Sequence, residues 1–411
     1  MTATLMNPTD LRGVRDAVLD SAGTLAVAGA GTAAGWAGTL GPVDAVLDLR
    51  ALTGVITHNP GDMTVSVRAG TPLRELNAEL ADHGQHVALD AARVEDGATV
   101  GGLLSTGDAG PGALVHGSLR DLVIGATLVL ADGTVARTGG HVIKNVAGYD
   151  LAKLVHGAYG TLAVIAEVVL RLHPLPHATA TLVVPCPLEE AAEHAALILG
   201  GPYEPAALEW VSTPGALLVR IEGTEAALPE RVDRLRELLE SAAGVEGDGD
   251  SWAEHNRLTR GTLDDAVLRI GVRPSRLPGV LAGLDARGVT AGLGTGVATV
   301  ALPADPVTVA AAHATVHAAG GTSVLRSRPV GLDASAWGPA PSALAMLRAV
   351  KQELDPAGRL GPGRLAPWLT ERNPTSELAS ESVSASESVS ASEPVSQRPC
   401  EAPTERSEGV Q

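Results

Sequence analysis

Three glycine-rich stretches hold the residues best suited to chemistry. The first is VAGAGTAAGWAG, Val27–Gly38. Small residues fill almost every position, so backbone N–H groups can approach a phosphate without Cβ interference and cradle an anion. The stretch lacks the Gly-Lys-Ser/Thr ending of a P-loop and fails the dinucleotide fingerprint at its third glycine. Gly-rich turns are common in a chain with 48 glycines, so alone it is a weak signal. The second is ATVGGLLSTGDAGPG, Ala98–Gly112, read as a loop. It pairs a Gly-Gly step with the Ser105 and Thr106 hydroxyls, which suits a flat polar ligand. The third runs over Gly139–Leu172, where Gly157 and Gly160 flank a turn into a strand whose backbone can face a ligand edge.

Short elements must position these stretches. Asp10 is placed to cap a helix with Leu11, Val14, Val18 and Leu19 on one face, closed by Gly23. A strand at Leu25–Ala28 then delivers the first stretch. Met63–Gly70 alternates like a half-buried strand, and Thr71-Pro72 opens a helix carrying Leu73, Leu76 and Leu80. Leu128–Thr138 reads as a hairpin turning at Asp132-Gly133, and Leu162–Leu172 as a strand. This region is α+β with several short antiparallel strands. Beyond Pro176 the pattern gives two rough strand–helix–strand copies, as a sheet covered on one face by helices needs. A last helix near Pro341–Leu354 precedes DPAGRLGPGRL.

The order of the three stretches resembles the FAD-binding domain of the vanillyl-alcohol oxidase and p-cresol methylhydroxylase superfamily, the PCMH-type fold. Its marks are a small-residue pyrophosphate loop, T-V-G-G-x-x-S-T, and G-x-x-G-T-L-x-x-I. The block GGHVIKNVAGYDLAKLVHGAYGTLAVIAEVVLRLHP, with LRDLVIGATLVLADG before it and LDPAGRLGPGRL near the end, resembles the FAD-binding subunit of bacterial glycolate oxidase. The match is strong over Val65–Pro176 and weak over Ala178–Pro339. The resemblance implies a two-subdomain FAD-binding fold at 1–176, a smaller α/β cap at 177–339 and a returning segment at 340–369; composition alone makes 370–411 a disordered tail.

The same resemblance implies cofactor contacts. Gly29, Ala30, Gly31, Thr32 and Ala33 match the pyrophosphate loop, and Thr99, Gly101, Gly102, Ser105 and Thr106 match the loop near the phosphates and isoalloxazine. Gly117, Ser118 and Asp121 match the segment closing the site, while Gly160 and Ile165 match the turn and strand that read the cofactor. Lys144, Tyr149 and Asp150 match a block typical of the glycolate oxidase branch, with packing and cofactor-proximal roles left even. Thr32 stands near the position where some relatives attach flavin through His, so the FAD is expected to be non-covalent. Gly107 replaces a usual Asn, and Gly361-Pro362-Gly363 has lost the Asn of N-P-G. The His-rich cap motif of related 2-hydroxyacid dehydrogenases is missing, and no catalytic residue is assigned.

Composition bounds the alternatives. The chain has 411 residues, 45% hydrophobic, with no Phe, so its core must be Ala, Val and Leu. A net charge of −17 and five scattered Trp argue against nucleic acid. The segment from Thr370 repeats Ser, Glu, Ala and Val with eight acids and three bases, a disorder-like composition. Two cysteines cannot supply a four-thiolate cluster; the resemblance to glycolate oxidase then implies a separate iron–sulfur subunit to take the electrons and a second flavin subunit as partners. The N-terminus lacks a signal-peptide pattern and no span is apolar enough to cross a membrane. A cytoplasmic location is expected, peripheral to the membrane's inner face through partners. His313 and His317 have metal-compatible spacing but no third ligand, and no metal is expected. Three functions remain open: FAD-dependent oxidation of a glycolate-like 2-hydroxy acid, a non-catalytic flavin-binding or scaffold subunit, or a nucleotide-binding regulator.

Overall fold

The computed structural model describes residues 3–142, 148–239, 249–369 and the backbone of 244–246. The expectation of a disordered tail at 370–411 and the Lys144 position lie outside the described residues. Contacts divide the chain into Met1–Thr370 and Glu371–Gln411, and every described element belongs to the first unit.

The helix Leu11–Asp20 begins where Asp10 accepts a hydrogen bond from Gly13 N (2.7 Å), and it buries Val14 and Val18. It packs with a three-stranded sheet in which Thr4–Met6 and Leu25–Ala28 flank Ala45–Asp48. These strands are parallel, contrary to the antiparallel expectation. A parallel pair needs a connection long enough to return, and the chain between Ala28 and Ala45 supplies it with the glycine-rich stretch.

A five-stranded antiparallel sheet runs in the order Val55–Asn59, Thr64–Arg68, Val164–Arg171, Val123–Val129, Val135–Gly139. The last two form the expected hairpin, with Gly133 at φ +81°. Helix Leu73–Ala81 buries Leu73, Leu76 and Leu80, each worth roughly 1.5–3 kcal/mol. Its N-cap is Pro72 rather than Thr71, whose hydroxyl instead accepts from Gly54 N (2.9 Å).

Besides a two-stranded pairing of Gln85–His86 with His173–Pro174, a further sheet has eight antiparallel strands, and its helices Leu188–Leu199, Leu228–Leu239, Leu277–Ala282 and Pro306–Ala318 share one core with it. The one-face expectation needs correction. Helix Asp250–Arg260 lies on the other side, where Trp252 and Leu258 pack on Ala207, Val211, Ala216 and Leu218. Alternation explains this: Leu208, Leu268 and Leu325 enter the main core, so their neighbours Glu209, Arg269 and Arg326 take the opposite face. That face meets the first layers. Arg326 Nη1 donates to Asp108 Oδ1 (2.7 Å), Arg220 Nη1 to Asp90 Oδ2 (2.9 Å) and Arg260 Nε to Asp96 Oδ2 (3.0 Å). The cores are mainly Ala, Val, Leu and Ile, with Trp252 and Cys186 among the exceptions.

Candidate cofactor cavity

The strand Leu25–Ala28 ends at Gly29, and the C-terminal segment clamps both the strand and the loop beyond it. Gly361 N donates to Leu25 O (2.9 Å) and Leu25 N to Arg359 O (2.7 Å). Arg364 Nη1 donates to Ala34 O (2.8 Å) and Trp36 O (2.9 Å), so one guanidinium sets the path of the loop. Arg328 donates to Ala37 O from the cap sheet side. Lys351 Nζ holds Thr161 O (2.7 Å) and Asp355 Oδ2 (2.5 Å), tying the last helix to the turn after Gly160.

The second stretch is a helix, not a loop. Val100–Thr106 is capped by Thr99, whose Oγ1 accepts from Gly102 N (3.2 Å). Two glycines and β-branched residues disfavour a helix on propensity alone. Tertiary bonds override this: Val100 N reaches Thr71 O (2.9 Å) and Gly101 N reaches Ala69 O (2.8 Å). Gly107 ends the helix at φ +62°, a conformation that Gly adopts freely and Asn tolerates. The third stretch docks on this helix end, with Gly157 N on Leu104 O (3.0 Å) and Tyr159 N on Ser105 O (2.8 Å).

These segments enclose a cavity of about 250 Å³. Gly29, Ala30, Gly31, Thr32 and Ala33 line it, as do Thr99, Gly101, Gly102, Ser105 and Thr106. Gly160 and Ile165 complete the set, so twelve of the fifteen expected residues meet in one space. A side chain at Gly29 would overlap Thr99 Oγ1, which makes glycine necessary where the loop crosses the helix N-terminus. Gly117, Ser118 and Asp121 are not brought to the lining. Their polar atoms are consumed locally: Ser118 N donates to Asp121 Oδ2 (2.9 Å) and Arg120 N to Ser118 Oγ (3.2 Å), a capping box for Leu119–Leu122. Tyr149 is exposed and Asp150 caps helix Leu151–Val155, so neither reaches the cavity.

Sequence reasoning missed the cavity's ionisable residues Arg93, Asp108, Tyr159 and Arg364. They sit in irregular segments where no periodicity marks them. Arg93 and Arg326 both stack on the Trp36 indole, with Cζ 4.3 and 3.9 Å from its ring centroid. Burial lowers the Arg93 guanidinium to about 10 and raises the Tyr159 phenol. No histidine is among the described residues lining the cavity. His156 lies beyond Gly107, and burial lowers it to about 4. His313 bonds Ser323 Oγ (2.6 Å) and Ser335 O (3.1 Å), which accounts for both ring nitrogens. Chemically, the cavity offers the backbone of Gly29–Ala33 for phosphates, hydroxyls at Ser105 and Thr106, and an ionisable end.

Residues 5–139 match the FAD_binding_4 family, described as an FAD binding domain. The chain is 34% identical over 234 residues to glycolate oxidase subunit GlcE of Escherichia coli, covering 56% of this chain and 64% of that one. It is 30% identical over 175 residues to glycolate oxidase subunit GlcD of Bacillus subtilis, covering 42% of this chain and 37% of that one. The mitochondrial D-lactate dehydrogenase [cytochrome] of Arabidopsis thaliana is 36% identical over 157 residues, covering 38% of this chain and 27% of that one. The chain thus spans less than two thirds of these relatives' lengths. A solved alkyldihydroxyacetonephosphate synthase shares the fold, with a TM-score of 0.63 over 87% of this chain and 75% of that one at 16% identity. No helix among the described residues is long and apolar enough to cross a membrane. Residues 5–139 thus match an FAD binding domain, and the chain is similar to glycolate oxidase subunits and D-lactate dehydrogenases.

Proposed function

We propose that this chain is an FAD-dependent oxidoreductase subunit that oxidises a small, glycolate-like 2-hydroxy acid and passes electrons to an iron–sulfur partner. The observation that carries the reading is the convergence of three distant motif segments on one cavity with an ionisable end. The residues present suit FAD: the small-residue backbone of Gly29–Ala33 would cradle the diphosphate, and Thr99, Gly102 and Ser105, on the same lining, would border the ring. Thr32 stands near the position where some relatives link flavin through His, which supports non-covalent binding. When bound, the flavin accepts a hydride from the substrate carbon. The chain's part is to bind and orient both molecules, exclude water and receive the hydroxyl proton. On this reading the flavin domain takes residues 1–176, the cap 177–339 and the returning segment 340–369.

The histidine-free lining favours a second reading, in which the chain binds flavin while a sister subunit performs the chemistry. One experiment separates the two. Purified full-length chain should be yellow, with bands at about 375 and 450 nm, and acid precipitation should release the flavin. Bleaching by glycolate in the isolated chain supports catalysis here, whereas bleaching only with partner subunits supports the second reading. Colourless protein that takes up no added FAD refutes both.

A further inference from the structure

Two buried groups at the ionisable end of the cavity lack partners of opposite hydrogen-bonding demand. Arg93 is 7% exposed, and its Nε donates to Thr32 O (3.2 Å). Its Nη1 has no hydrogen-bond partner among the described residues. Asp108 is 2% exposed, and its Oδ1 accepts from Arg326 Nη1 (2.7 Å) and Ala109 N (3.0 Å). Its Oδ2 has no partner among the described residues. Both residues line the same cavity. Leaving a buried donor or acceptor unmade is expensive, about 1–3 kcal/mol and more for charged groups. Two such groups facing one space therefore call for a ligand with an anionic acceptor and a donor close together.

We propose that Arg93 and Asp108 form a recognition pair for a 2-hydroxy acid: Arg93 Nη1 donates to the carboxylate, and the α-hydroxyl donates to Asp108 Oδ2. The pair rests on the proposed oxidoreductase function and names the residues that would select its substrate. Trp36 and Arg326 position the pair. The indole holds the Arg93 plane, and Arg326 fixes Asp108 so that Oδ2 remains the free oxygen. Burial leaves the Arg93 guanidinium poorly solvated and lowers it to about 10. A carboxylate relieves that, and so would a cofactor phosphate, so the test must separate the two anions.

The experiment uses the FAD-loaded full chain and 2-hydroxyisobutyrate, a 2-hydroxy acid with no α-hydrogen and hence no oxidation. Isobutyrate is the hydroxyl-free control, and calorimetry reads binding without relying on flavin colour. Wild type is expected to prefer the hydroxy acid by about tenfold, the value of one hydrogen bond to a charged group. Measured at saturating FAD, Arg93→Met should weaken both acids by about 10- to 100-fold, a larger loss than its FAD affinity, read by flavin fluorescence quenching, shows from losing the Nε bond to Thr32 O. Asp108→Asn keeps an oxygen for Arg326 but replaces the free acceptor with a donor, and should erase the preference for the hydroxyl. Melting temperature and flavin loading check that both variants fold. The proposal is overturned if wild type shows no hydroxyl preference, if Arg93→Met binds both acids normally, or if that variant loses FAD affinity alone. Holoprotein that binds the unreactive acid but resists bleaching by glycolate refutes the oxidation reading and leaves the pair standing.

Discussion

Replacing Gly29 with Ala tests the crossing on which the cavity depends. The backbone there is outside the left-handed region, so Ala introduces no dihedral strain. The new methyl would overlap Thr99 Oγ1 but lie 3.5 Å from Thr99 Cβ, an ordinary contact. The overlap must be relieved by moving the loop or by turning Thr99 off Gly102 N, its capping partner at 3.2 Å. Overpacking of this kind costs about 1–3 kcal/mol, and losing the cap about 1 kcal/mol. Thr99→Ala alone should therefore lower stability by about 1 kcal/mol. The double variant should be little worse than Thr99→Ala, because the offending oxygen is gone. The coupling is then about 1–3 kcal/mol in favour of the double variant, the full cost of Gly29→Ala alone. Urea midpoints of the four proteins measure it, and FAD titration should show Gly29→Ala binding about tenfold more weakly, with recovery in the double variant. Strictly additive losses would refute the argument that this glycine exists to admit Thr99.

Three further outcomes are expected. Gly102→Trp should abolish flavin retention, since Gly102 lines the cavity on the helix's first turn; absorbance after gel filtration checks this, and wild-type retention would remove that helix from the site. Lys351→Met strands Asp355, which is 2% exposed, without its cation and should destabilise the chain by about 3–5 kcal/mol, lowering its melting temperature. His156 has a folded pKa of about 4 against an ordinary 6.5. The unfolded chain therefore binds more protons between these values, and the contribution present above 6.5 is lost as pH falls through about 4. His156→Gln should flatten that part of the urea-midpoint profile, and an unchanged acid slope would contradict the burial argument.

Much of the fold was legible in the residues. Helix Leu188–Leu199 is marked by its apolar stripe, strand Leu25–Ala28 by a short apolar run before glycines, and helix Pro306–Ala318 by the Asp305-Pro306 start, signals that tertiary contacts do not overrule. Helix Val100–Thr106 was not legible, because Gly101 and Gly102 speak against it and its support comes from Ala69 and Thr71 on another segment. Strand Gly288–Gly292 was missed for a similar reason: it is short and framed by glycines, and pairing with Ala207–Val211 and Val297–Pro303 makes it a strand.

By itself the sequence determined where backbone can come close to a ligand, since only small residues permit it and their clustering is visible as spacing. It also determined that the core is aliphatic and that one histidine motif is missing. The tertiary structure alone decided which charges face the cavity. Arg93, Asp108 and Arg326 are brought together across 218 residues between the last two, and no local period records such a meeting. It also returned Ser118 and Asp121 to a structural cap. A carboxylate's role depends on which donors reach it first, and that is a property of three-dimensional neighbours rather than of chain order.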